Sequence, residues 1–294
     1  MLVLDDGRAR AEVHPHMGAA MGRYDYVRGD GRVLPIFQTA PSPQRSGPFA
    51  LGLNLLIPFS NRISGGGFWH DGAFHALHPN MNGPYPIHGN AFMLPWRVRA
   101  SNATRASLVL DSEGPGDFRY LAEVDYALEG GALTVNLAIT NHGAVSLPFG
   151  AGLHPWFVRS PDMRLTMSAA GYWTETADHL PDVYLPTAGD GIFDFTTGRL
   201  LPETFVNNAL TGWNGNATLA WPDRRLAVDI SASAPLRTVV LFSPSAAADY
   251  VCVEPVSHSI DAHNRTGIGV EAPQILTLGE TLIARTTLTP RELS

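Results

Sequence analysis

The chain has 294 residues, 45 % hydrophobic and 16 % charged, which supplies enough apolar side chain for a substantial core and excludes a disordered chain. All 20 basic residues are arginines, set against 27 acidic ones for a net charge of −7, and no basic run occurs. Nucleic acid is therefore excluded as a partner, and the negative balance reads as solubility.

The N-terminus, Met1 to Asp6, has no basic region leading into an apolar stretch, so no signal peptide is expected. No window comes near the roughly 18 uninterrupted apolar residues of a membrane span. A cytoplasmic protein is the expectation. The 29 Gly and 23 Pro are spread along the chain rather than gathered in a linker, which leaves little room for long helices. Between these breaks the period is two. Trp96 to Asp111 carries Val98, Leu108, Val109 and Leu110 in a near-extended pattern with no Gly or Pro. Leu133, Val135, Leu137 and Ile139 alternate with polar or small residues, as do Leu226, Val228 and Ile230. Val239 to Phe242 is a short apolar run suited to a strand covered on both faces, and Leu282, Ala284, Thr286 and Leu288 share one face near the end. No segment shows three or four turns of helical periodicity with caps. The pattern predicts an all-β sandwich or barrel, with residues 1–294 as one domain.

The single cysteine, Cys252, excludes an intramolecular disulfide and any multi-cysteine metal site. In the apolar run Tyr250 to Val253 it reads as a buried, inert thiol. His70, His75 and His78 invite a zinc hypothesis, but Asp71-Gly72 is a hairpin-turn signal and the spacing matches no metal motif, so a surface hairpin is expected. Ser64 lacks a nucleophile-elbow context, and Gly65-Gly66-Gly67 is not followed by the Lys-Ser/Thr of a phosphate loop. Four segments remain that set reactive polar residues in apolar or turn-rich surroundings. These are Leu55 to Ile63 with Asn61 and Arg62, Tyr85 to Phe92 with His88, Phe149 to Phe157 with His154, and Val251 to Ser257 with Glu254. Taken singly, each is as compatible with a capped turn, a satisfied core histidine or a paired carboxylate as with chemistry. Residue physics alone yields a polar cleft in a β-sandwich.

In their order and rough spacing these four segments resemble the aldose 1-epimerase family. The blocks are Pro58-Phe59-Ser60-Asn61-Arg62, His88-Gly89, Leu153-His154-Pro155-Trp156-Phe157 and Val253-Glu254-Pro255. The likeness continues through Tyr184 to Thr187, Phe193-Asp194-Phe195 and Leu278 to Thr281, spanning nearly the whole chain. It implies a large two-sheet antiparallel sandwich of the galactose mutarotase type, acting without cofactor or metal on a small sugar. By that resemblance His154 is the general acid, Glu254 the general base, and Asn61, Arg62 and His88 bind or polarise the sugar. Such a pair makes a demand on protonation. With ordinary values of about 4.3 for Glu and about 6.5 for His, both groups have the required form only between those values, which predicts a bell-shaped pH profile.

One position departs from the family. Where many members carry an aspartate that contacts sugar hydroxyls, this chain has Asn207, which can accept a hydrogen bond but brings no charge. Three other readings follow from the same residues. A phosphorylated or decorated sugar would need extra cations, for which Arg23, Arg97 and Arg265 are the candidates. A non-catalytic sugar sensor would keep the fold, and a metal-dependent hydrolase would use the His70 cluster. Glycoside hydrolysis normally needs two carboxylates, and only Glu254 is placed by a motif. No long apolar helix demands a partner, so a monomer or homodimer is expected.

Overall fold

The computed structural model describes residues 1–38 and 47–293, and in them the only helical elements are three short 3₁₀ turns. The frequent Gly and Pro leave strands as the regular element, and these assemble into two large antiparallel sheets.

The first sheet has eleven strands. In spatial order they are Leu2–Asp5, Ala9–His14, Ala20–Val27, Leu53–Leu56, Gly152–Val158, Tyr250–Val256, Thr238–Ser243, Val206–Thr211, Gly171–Glu175 and Pro181–Pro186, with Val33–Pro35 branching off Ala20–Val27. The second has nine: Arg199–Leu200, Arg164–Met167, Asn216–Trp221, Leu226–Ala232, Thr281–Glu292, Ala132–Asn141, Tyr120–Glu129, Arg105–Ser112 and Arg97–Ser101. The alternation noted in Leu133 to Ile139 and Leu282 to Leu288 is the inner face of this second sheet. Leu133 lies opposite Leu288 and Leu137 opposite Ala284, all buried, whereas Ile283 on the other face is 65 % exposed.

The Trp96 to Asp111 segment departs from a single extended run. It splits at Asn102, whose Oδ1 accepts the backbone N–H groups of Thr104 and Arg105 at 2.9 Å each, turning the chain without Gly or Pro. Asp71 and Gly72, both at positive φ, make the tight turn between Gly67–His70 and Ala73–Ala76, as their sequence signals.

The strands Leu53–Leu56 and Tyr250–Val256 are buried along their whole length, and Gly152–Val158 along all but its last residue. Period-two alternation shows why. One set of side chains (Leu53, Leu55, Leu153, Phe157, Val251, Val253) enters the main core beneath the second sheet. The alternate set (Asn54, Leu56, His154, Trp156, Cys252, Glu254, Val256) lies on the outer face, roofed by loops rather than by a sheet. Two small apolar clusters occupy that face, Leu56–Ala209–Val240–Val256–Ile260 and Trp156–Tyr250–Cys252.

Candidate active site

The polar residues of the outer face meet between those two clusters. Gly152 pairs with Val256 and Trp156 with Cys252, a register that sets His154 directly opposite Glu254 on adjacent strands. Their side chains close to 3.4 Å between His154 Nε2 and Glu254 Oε1, with only 8 % and 2 % of the two side chains exposed. On its other side His154 pairs with Asn54. Asn54 accepts a hydrogen bond from Trp156 Nε1 at 3.2 Å and donates one to the Pro48 carbonyl at 2.8 Å. That donation ties down the Gly47–Ala50 turn, whose Phe49 ring packs on His88, Phe92, His154 and Trp156. The Trp156 ring stacks on His154 at 4.6 Å with planes 16° apart. The imidazole is thus held on one face by an aromatic plane.

Asn61 and His88 lock to each other from two loops. The Asn61 N–H donates to His88 Nδ1 at 3.1 Å, and the His88 N–H donates to the Asn61 carbonyl at 3.0 Å. Both residues hold positive φ, which this reciprocal pairing sustains. Gly89 is required where the two loops touch, because a Cβ there would lie 2.0 Å from the Ile57 carbonyl oxygen. Since His88 Nδ1 accepts, the ring proton sits on Nε2. Burial first, then the positive charges of His154 and Arg62, push the His88 pKa well below the usual histidine value, so the ring is a neutral donor. The Asn61 side chain turns back to accept from the Arg62 backbone N–H at 2.9 Å and from its guanidinium at 3.2 Å.

These groups line a cavity of about 220 Å³ together with Ile87, His179, Phe205, Asn207 and Phe242. Burial raises the Glu254 pKa well above the ordinary carboxylate value, and the nearby Arg62 guanidinium opposes that rise. Glu254 Oε2 is buried and makes no hydrogen bond among the described residues. A buried carboxylate oxygen without a donor is costly in a resting protein, and it is what a base needs for an incoming hydroxyl.

All six residues singled out in the sequence (Asn61, Arg62, His88, His154, Asn207 and Glu254) line this one cavity. Sequence reading missed His179, Phe205 and Phe242 as lining, and Glu175 behind them. Glu175 ends a strand just after a β-bulge, and Oε2 receives Asn207 Nδ2 and His179 Nδ1, each at 2.9 Å. The only local signal was a Glu and a His four residues apart around a turn, which is indistinguishable from a surface hairpin. Arg23, Arg97 and Arg265 are not among the cavity lining; Arg23 is paired with Asp25, and Arg265 with Asp261 at 3.5 Å. Of the His70 cluster, His75 Nδ1 is bonded to Asp117 at 2.8 Å and His78 is exposed. Ser64 donates to Asp261 from both its N–H and its hydroxyl. Among the described residues, the only grouping of three ligand-type atoms is His154, Cys252 and Glu254, within 4.8 Å of one another. That set includes the apposed His154 and Glu254, and Cys252 is buried as expected.

A carboxylate and an imidazole thus stand side by side on the outer face of one sheet of a two-sheet β-sandwich, with a second, neutral imidazole and, among the described residues, one arginine beside them. The chain matches the aldose 1-epimerase family over residues 15–289 and belongs to that family. It is 33 % identical to the uncharacterized protein YphB of Escherichia coli K12 over 217 residues, covering 71 % of this chain and 74 % of YphB. Its fold superposes on the crystal structure of a candidate aldose 1-epimerase of Escherichia coli K12 with a TM-score of 0.89 and 28 % identity, covering 99 % and 98 % of the two chains. A galactose mutarotase-like protein of Clostridium acetobutylicum shares the fold at a TM-score of 0.83 and 16 % identity, over 99 % and 95 %.

Proposed function

We propose that the protein interconverts the α and β anomers of an unphosphorylated aldose by opening and reclosing the sugar ring. The observation that carries this reading is the apposition of His154 and Glu254 at 3.4 Å in the cavity. The anomeric hydroxyl and the ring oxygen are bonded to the same carbon, so a base for one and an acid for the other must stand side by side. Glu254 takes the proton of the C1 hydroxyl. The electron pair released forms the C1 carbonyl as the bond from C1 to the ring oxygen breaks, and His154 protonates that oxygen. Rotation about the bond between C1 and C2 exposes the other carbonyl face, and the steps reverse. Burial of Glu254 favours this, since a carboxylate with a raised pKa is a stronger base. The His88 Nε2–H, Arg62 and Asn61 supply donors to sugar oxygens, and Asn207 supplies an amide. The chemistry requires no cofactor.

Among the described residues Arg62 is the only arginine that lines the cavity, Arg23, Arg97 and Arg265 lying outside that lining. A neutral sugar is the substrate to try first, with glucose 6-phosphate as the contrast. The test is anomer exchange followed by NMR for galactose, glucose, arabinose and glucose 6-phosphate, with the uncatalysed rate subtracted. Acceleration on at least one neutral sugar that vanishes in both His154→Ala and Glu254→Ala is expected. Acceleration of none of them, or its survival in both variants, would overturn the proposal.

A further inference from the structure

Asn207 lines the cavity and is held from behind by Glu175. A carboxylate can only accept, so the contact of 2.9 Å from Asn207 to Glu175 Oε2 fixes the amide's orientation, with Nδ2 toward Glu175. The amide oxygen, Oδ1, makes no hydrogen bond among the described residues, and Asn207 lines the cavity. The same Oε2 accepts from His179 Nδ1 at 2.9 Å, so a second lining residue is held against Glu175. Two donors converging on one carboxylate oxygen make charge-assisted bonds, the stronger kind. Local structure explains the convergence. The bulge between Trp173 and Glu175 redirects the strand end. The following turn, closed by Thr176 N–H to the Leu180 carbonyl at 2.8 Å and His179 N–H to the Thr176 carbonyl at 3.0 Å, folds His179 back over Glu175. Glu175 also acts electrostatically on Arg62, so a second carboxylate besides Glu254 still balances that cation.

We propose that Glu175 is a positioning residue that fixes Asn207 as a hydrogen-bond acceptor for a sugar hydroxyl, with the carboxylate charge standing one side chain behind the cavity lining. This rests on the sugar-binding reading above. An aspartate presents two acceptor oxygens of its own; an asparagine left to rotate would present donor and acceptor in turn, and the glutamate removes that ambiguity.

The arrangement predicts an asymmetric rescue. Glu175→Ala raises KM about tenfold and leaves kcat within about twofold, because the bond lost acts on binding rather than on proton transfer. Glu175→Gln keeps an acceptor toward Asn207 and restores most of the affinity. Asn207→Asp alone sets two carboxylates in contact, so its KM is raised about tenfold at pH 8 and recovers as the pH falls and the pair takes up a proton. The double variant Asn207→Asp/Glu175→Gln returns KM to near wild type without pH dependence, because the glutamine amide donates to the new aspartate. Steady-state anomer exchange with the best of galactose, glucose and arabinose gives kcat and KM, and saturation-transfer NMR with the same sugar gives Kd. If wild type binds a sugar without exchanging its anomers, the proposed function falls and the same four comparisons are made on Kd. Wild-type affinity in Asn207→Asp at pH 8, an unchanged KM in Glu175→Ala, or failure of wild type to bind any of the three sugars would overturn the positioning role.

Discussion

Glu254 and His154 sit opposite each other on adjacent antiparallel strands, and the buried carboxylate approaches the imidazole to 3.4 Å while its second oxygen has no donor among the described residues. A buried carboxylate oxygen without a donor costs stability in the folded state. Replacing Glu254 by Gln removes a buried ionisable group and keeps its shape. Activity is expected to fall by about 10²-fold or more, while the melting temperature holds or rises. A large loss of thermal stability in Glu254→Gln, read by calorimetry, would show that the carboxylate is structural.

Arg62 opposes the burial-driven rise of the Glu254 pKa. In the proposed reaction Glu254 is the ionised base, so kcat/KM is expected to fall on the acid side as that group protonates, with an apparent pKa well above the usual carboxylate value. Arg62→Met removes the opposing charge and raises the Glu254 pKa further. The acid limb of the pH–rate profile therefore moves to higher pH, in addition to any loss of affinity. A flat profile from pH 5 to 9 in the wild type would sink the paired acid–base assignment.

A histidine pair beneath the site predicts acid sensitivity of the fold. His258 Nε2 accepts the Ser60 N–H at 3.0 Å, and its Nδ1 donates to the Ser259 carbonyl at 2.8 Å, so the neutral ring satisfies both contacts. Burial lowers its pKa to about 4, and burial together with the neighbouring His258 lowers that of His263 to about 3. Both folded values lie below the unfolded value of about 6.5, so the unfolded chain binds more protons between them. The stability these rings contribute is complete above about pH 6.5 and is lost as the pH falls toward 4 and then 3. Urea unfolding at pH 7 and pH 5 should show the loss, which His258→Gln should reduce. A stability independent of pH over that interval would contradict this account.

Gly89 offers a sharper structural test. At φ +64°, with the Ile57 carbonyl 2.0 Å from where a Cβ would stand, alanine clashes with backbone on both counts. Gly89→Ala is expected to cost about 2 kcal/mol or more and to displace His88, lowering activity beyond what the stability loss explains. Gly72→Ala, at a hairpin tip with open space, should leave activity unchanged.

Much of the sheet frame is legible in the sequence, because period-two alternation survives wherever one strand face is core and the other solvent, as in Leu133 to Ile139. The turn at Asn102 was hidden because a side-chain oxygen, rather than Gly or Pro, bends the chain there. His154 and Glu254 stand out only through resemblance to a family. Alone, each sits in an apolar run with a plausible core explanation, and their meeting depends on a strand register joining positions 100 residues apart. Glu175 and His179 carry only the signal of a surface hairpin, since a bulge and a turn unite them with Asn207 and neither leaves a compositional trace. Phe49 is likewise invisible as a packing partner of His88 and His154 until Asn54 is seen holding its turn.

The alternation along Gly152–Val158 means that a single strand is written in two interleaved registers, one answering to the core and the other to the cavity side of the sheet. A substitution at position 154 removes the imidazole that faces Glu254, and one at 156 removes the ring stacked on it, while Leu153 and Phe157 keep their places in the main core. A one-residue insertion within the strand would exchange the two registers at a stroke. This part of the chain is therefore closed to drift by length, so variation in length among its relatives should fall in the connecting loops and spare the strand itself.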